Sequence, residues 1–130
     1  MENGAQVTVP GGIRLKDLIK ELRKRGRGLR NLGSITEQSI AGATATGTHG
    51  TGLRLGAIHT QIAAMKLVDG QGQLRTIDGS APKDLAAARL SLGALGIITE
   101  VTLETVPDYR LEYNAYLCRL DDVLGRIDQL

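Results

Sequence analysis

Apolar positions recur along the chain with two periods. Val7 and Val9 alternate with Gln6 and Thr8, which predicts a short strand closed by the turn Pro10-Gly11-Gly12. Leu15, Leu18, Ile19 and Leu22 then fall three and four apart among charged residues, so residues 15–25 are expected to form a helix stopped by Gly26. Residues 58–68 are rich in β-branched and aliphatic side chains and predict a strand. Asp69-Gly70-Gln71-Gly72 turns that strand into its return, residues 74–77. Pro82 opens a second helix that runs to Leu90 and is ended by Gly93 and Gly96. Over residues 97–105, Val101 and Leu103 alternate with Glu100, Thr102 and Glu104, the clearest strand pattern in the chain, and Pro107 stops it. Alternation resumes over residues 109–117, with Tyr109, Leu111, Tyr113, Ala115 and Leu117 on one side. Residues 121–130 place Val123, Leu124, Ile127 and Leu130 at helical spacing behind an Asp cap. The hairpin turn and the alternating strands predict an α+β domain, a mainly antiparallel sheet flanked by helices on one side.

The stretch that breaks both periods is residues 31–52. Gly33, Gly42, Gly47, Gly50 and Gly52 stand there among Ser34, Thr36, Ser39, Thr44, Thr46, Thr48 and Thr51. Glycines allow close backbone approach to a ligand, and the hydroxyls supply donors and acceptors at short reach. Leu32, Ile35 and Ile40 anchor the stretch, which separates it from a solvated linker. Ser34 and Glu37 have capping-box spacing, so a helix is expected to start at Ile35 or Thr36, with its first N–H groups forming an anion site. Two familiar motifs are absent. Gly42 and Gly47 are spaced as in a P-loop, but Thr48-His49 occupy the Lys-Ser/Thr positions; a dinucleotide fingerprint would need glycine at Leu55. The plain alternative is a glycine-rich turn that only holds packed strands.

Composition narrows the classes. With 16 basic and 14 acidic residues among 130, the net charge of +2 is too balanced for a nucleic-acid binder or a polybasic membrane-surface protein. The run from Arg23 to Arg30 is the one basic cluster, and at a helix C-terminus it complements the dipole. There is no Trp or Phe, so platforms for base stacking are scarce. Cys118 is alone, which excludes an internal disulfide and fits a reducing compartment. His49 and His59 lack a nearby cysteine, and no zinc site is expected. No apolar run has transmembrane length and the start carries no signal-peptide core, so a cytoplasmic location is the default expectation.

Two long motifs together resemble one family. They are Asn31-Leu32-Gly33-Ser34-Ile35 running through Ser39-Ile40-Ala41-Gly42 to Ala45-Thr46-Gly47-Thr48-His49-Gly50-Thr51-Gly52, and Ser91-Leu92-Gly93-Ala94-Leu95-Gly96-Ile97-Ile98-Thr99-Glu100-Val101. They resemble the FAD-linked oxidases of the vanillyl-alcohol oxidase and p-cresol methylhydroxylase type, and within these the aldonolactone oxidoreductases and alditol oxidases. The resemblance implies an FAD cofactor, bound by the second subdomain of a two-part FAD-binding domain, and a sugar alcohol or lactone substrate. It implies cofactor contacts at Gly33, Ser34, Ser39, Gly42, Thr46, Gly47, Thr48, His49 and Gly50, and at Ile98 on the adenine side. Glycine at position 33 is associated in that family with oxygen reaching the flavin.

The family's first subdomain is expected before Met1, and its substrate domain to begin at about residue 118, residues 1–117 being the FAD-binding part. No catalytic acid or base can be assigned within the chain, and His59 is expected to be structural. Two other classes stay open: a flavin- or nucleotide-binding module completed by a partner chain, and a cofactor-free remnant that self-associates through apolar surfaces exposed by truncation.

Overall fold

A computed structural model describes residues 5–52 and 54–127. Its centre is a four-stranded antiparallel sheet in the order β1-β5-β3-β4, built from Gln6–Pro10 (β1), Ile62–Val68 (β3), Leu74–Asp78 (β4) and Ile97–Glu104 (β5). The longest strand, β5, lies between β1 and β3. Val101 is opposite both Val9 and Met65, and Leu103 is opposite Val7 and Ile62. These alternate residues point to one face, where Met65, Leu67, Val101 and Leu103 are buried. The other face is polar: Thr8 and Thr102 share a hydroxyl contact of 2.8 Å, and Lys66 meets Glu100 at 2.8 Å.

Helices cover the apolar face. Leu15–Arg23 (α1) buries Leu15, Leu18 and Leu22, Ile40–Ala45 (α2) buries Ile40 and Ala43, and Pro82–Arg89 (α3) buries Leu85 and Ala88. The short strands Arg27–Gly28 (β2) and Val106–Pro107 (β6) pair antiparallel beside them. The α+β class, the antiparallel sheet and the helix layer agree with the sequence pattern.

The β3–β4 turn shows how a loop is fixed locally. Asp69 Oδ1 accepts from the N–H groups of Gln71 and Gln73 at 3.0 and 2.9 Å, and Asp69 Oδ2 meets Arg75 Nε at 2.8 Å. Arg75 first, and the Gln73 N–H with it, hold the Asp69 carboxyl below its ordinary 3.8. A carboxyl depressed on folding adds stability above its unfolded pKa and loses it as pH falls through the folded value. Asp69→Asn is therefore expected to flatten the fall in melting temperature below about pH 4, read by circular dichroism; an unchanged acid limb would exclude this role.

Four expectations are corrected. No helix starts at Ile35 or Thr36. Residues 36–38 run extended along α1, with Leu15 N–H donating to Gln38 O at 2.9 Å and Lys16 N–H to Thr36 O at 3.0 Å, while Glu37 is drawn to Lys16 at 2.8 Å and Arg14 at 3.1 Å. The cap is Ser39, whose Oγ accepts from Gly42 N–H at 3.2 Å. Residues 58–61 form a 3-10 turn, Ile58–Gln61, instead of the start of the strand, because Ile58 N–H is taken by Thr48 O and Thr60 N–H by Ala57 O. Residues 109–117 form no strand: beyond the two-residue pairing of β6 with β2, no neighbouring strand among the described residues takes up their ladder. The last helix is Leu120–Leu124 (α4), preceded by Arg119 instead of an Asp cap. Its expected continuation over residues 128–130 lies outside the described residues.

Candidate cofactor site

The glycine-rich stretch forms two limbs on either side of α2. The first limb, residues 30–37, arrives from β2; the second, residues 46–52, leaves towards the 3-10 turn. The limbs touch. A Cβ at Gly33 would sit 3.1 Å from Thr48 Cγ2 and 3.3 Å from His49 O, and one at Gly50 would overlap Asn31 Oδ1 and the Leu32 carbonyl. Gly33, Ser34, Thr48, His49 and Gly50 thus share one end of the fold. Gln38 joins the limbs again through a side-chain contact with Thr48 Oγ1 at 3.3 Å.

Ser39, Gly42, Thr46 and Gly47 follow α2. Thr46 Oγ1 bonds Gly42 O at 2.9 Å, and Gly47 has φ +72 with Leu90 Cδ1 3.1 Å from the place a Cβ would take. Ile98 joins them through Gly11, where an added Cβ would lie 2.5 Å from Ile98 O and 3.4 Å from Ala41 Cβ. Leu92 N–H donates to Ala45 O at 3.0 Å, so the second motif packs on the end of α2.

The expected anion site at a helix start is not open. The N–H groups of Ile40, Ala41, Gly42 and Ala43 are taken by Ile13 O, Gly11 O, Ser39 Oγ and Ser39 O. The available donors lie in the limbs instead: the backbone N–H groups of residues 33–37 and 49–52 donate to no backbone carbonyl among the described residues. They stand beside exposed Ser34 and exposed His49, whose Nδ1 contacts Gly50 O at 2.8 Å. Donors with no backbone partner, beside hydroxyl side chains, are groups that can bind a polar ring edge or a phosphate.

A cavity of about 850 Å³ opens next to this cluster. Asn31, Leu32, Thr51 and Gly52 line one side, and Leu22, Arg27, Tyr109 and Arg110 the other. Gly33, Ser34 and His49 are not in its wall. Asn31, Gln61 and Tyr109, which hold the first limb, are absent from the sequence-based set of contact residues. Nothing in periodicity marks a glutamine on a 3-10 turn.

His59 lies outside the cluster. Burial first, and the charge of Arg89 second, push its pKa below 6.5, and its buried Nδ1 has no hydrogen-bond partner. Both causes favour its neutral form. Among the described residues, no group of three or more His, Cys, Asp and Glu could hold a metal, and no helix is long and apolar enough to cross a membrane.

Comparison with known proteins shows the family of the chain. Residues 1–78 match the family described as FAD binding domain. L-gulono-1,4-lactone dehydrogenase of Mycobacterium tuberculosis is 44% identical over 95% of this chain and 28% of its own length. L-gulonolactone oxidase of Mus musculus is 39% identical over 95% of this chain and 28% of its own length. Cholesterol oxidase from Brevibacterium sterolicum superposes with a TM-score of 0.73 at 25% identity, over 81% of this chain and 22% of its own. The chain spans 28% or less of the length of these relatives. With the match covering more than half of its residues, the chain belongs to the FAD-binding domain family, whose cofactor is FAD.

Proposed function

We propose that this chain is the FAD-binding portion of a flavin-dependent oxidoreductase acting on a CH–OH group of an aldonolactone or alditol. One observation carries the reading: Gly33, Ser34, Thr48, His49 and Gly50 gather where the N–H groups of residues 33–37 and 49–52 have no backbone partner among the described residues. The lactone-acting relatives supply the substrate class. Ser34, Ser39, Gly42, Thr46, Gly47, Thr48 and His49, with the limb N–H groups, would line the ring, ribityl and pyrophosphate parts, and Ile98 the adenine side. FAD, when bound, supplies the hydride acceptor. The chain's own part is to orient that group and to direct donors at its polar edge, where negative charge on reduction is stabilised. In this reading the lack of a side chain at Gly33 suits oxygen as acceptor. Residues 1–117 belong to the FAD-binding part in this reading, and residues 118–130 begin the next domain.

Titration of the purified chain with FAD, followed by flavin fluorescence, tests this. Saturable binding is expected, and Gly47→Val is expected to abolish it, because valine at φ +72 meets Leu90. A chain that takes up no FAD and self-associates in sedimentation would instead support the cofactor-free alternative.

A further inference from the structure

We infer that Asn31, Gln61 and Tyr109 are positioning residues of the cofactor site, because side chains and not a backbone ladder fix the first limb. This rests on the cofactor reading above. Residues 29–32 make no backbone–backbone hydrogen bond among the described residues. Five of their eight peptide N–H and C=O groups are met by three side chains. Arg30 N–H donates to Gln61 Oε1 at 2.8 Å, and Gln61 Nε2 donates to Asn31 O at 3.0 Å. Leu32 N–H donates to Asn31 Oδ1 at 3.0 Å, while Asn31 Nδ2 donates to Gly56 O at 3.1 Å. The Tyr109 hydroxyl lies 3.0 and 3.1 Å from the carbonyls of Leu29 and Arg30.

The arrangement transmits the sheet's geometry to the limb. Gln61 closes the 3-10 turn directly before β3, which is paired along its length with β5. Gln61 and Asn31 are 6% and 8% exposed, so water is a poor substitute for any partner they lose. The residue after Leu32 is Gly33, the first of the run 33–37 whose N–H groups have no backbone partner among the described residues. Gly50 packs so closely on Asn31 and Leu32 that the second limb follows the first.

Gln61 is used as acceptor and donor at once, and this gives a specific test. Gln61→Glu keeps the shape, but an ionised carboxylate cannot donate to Asn31 O and is repelled by it. A protonated carboxyl can do both. Burial and the facing Asn31 carbonyl raise its pKa against the lowering effect of the Arg30 N–H, so FAD affinity of this variant should be weaker at pH 8 than at pH 5. The wild-type chain, with the same His59, and with Arg89 bonded to the next carbonyl at Ile62, is the control for every other titration in that range.

The full 130-residue chain is used, with amide resonances recorded without flavin and affinity measured by FAD titration. Gln61→Leu and Asn31→Ala are expected to move the resonances of residues 33–37 and 49–52, leave those of β1 and β5 in place, and weaken FAD binding about tenfold. Tyr109→Phe, which removes one half-exposed hydroxyl and keeps the ring, should weaken it about threefold and serves if the buried variants fail to fold. Unmoved limb resonances in Tyr109→Phe and in the folded buried variants would overturn the inference, as would Gln61→Glu binding like wild type at pH 8. If the wild-type chain binds no FAD, the cofactor reading fails, and the limb resonances still decide whether these side chains place the limb.

Discussion

Gly50→Ala is expected to lower stability by about 2–3 kcal/mol and to remove FAD binding. The methyl group would overlap Asn31 Oδ1 and the Leu32 carbonyl, and neither is the far end of a flexible chain. Asn31 is held at both ends of its amide, and Leu32 is backbone. One limb has to move away from the other, breaking bonds that are out of reach of water. At this size such a loss lowers the melting temperature by about 6–12 °C. Gly70→Ala is the matched control, since no atom lies within 4 Å of its added Cβ. Gly33→Ala falls between them, with neighbours at 3.1 and 3.3 Å that give by a few tenths of an ångström. Equal melting temperatures for Gly50→Ala and Gly70→Ala would mean that the limbs are not in contact.

What could be read from the sequence was whatever depends on local periodicity. Val101 and Leu103 alternate with polar residues because β5 has one face in the core, and Leu15, Leu18 and Leu22 repeat because α1 does. Asp69-Gly70-Gln71-Gly72 turns where its own side chain bonds its own backbone. The family was legible for a different reason. Close approaches such as Gly50 on Asn31 and Gly96 on Val68 tolerate only glycine, and these glycines stand within the two motifs.

The rest depended on partners distant in the chain. Ser34 and Glu37 have capping-box spacing, yet Lys16 and Arg14 on α1 and its approach claim Glu37, and the backbone of residues 36 and 38 bonds α1. Local propensity lost to a tertiary pairing. The alternation over residues 109–117 is equally local, and a strand needs a neighbour that periodicity cannot supply. Gln61 was invisible as a positioning residue because its use is defined by residues 30 and 31, thirty positions earlier. Composition records its presence and not its geometry.

Gly96→Ala is expected to be the most damaging substitution in the second motif, at about 3–5 kcal/mol. Gly96 has φ +140, a conformation open to glycine and strained for any L side chain, and an added Cβ would overlap the Val68 carbonyl and lie 3.0 Å from Asp69 Cα. Those atoms belong to the end of β3 and its turn, where Val68 pairs with Ile97. Relief requires the start of β5 to shift, and Gly11, packed against the Ile98 carbonyl, carries that shift to α2. Gly93 separates the two contributions: its φ is +78, but no atom lies within 4 Å of its added Cβ, so Gly93→Ala bears backbone strain alone, about 1–2 kcal/mol. Urea denaturation of the two variants reads the difference. A larger loss at position 96, together with weaker FAD binding, would tie the register of β5 to the adenine side of the site; equal losses at 93 and 96 would show that β5 yields freely and that Ile98 is not held by this contact.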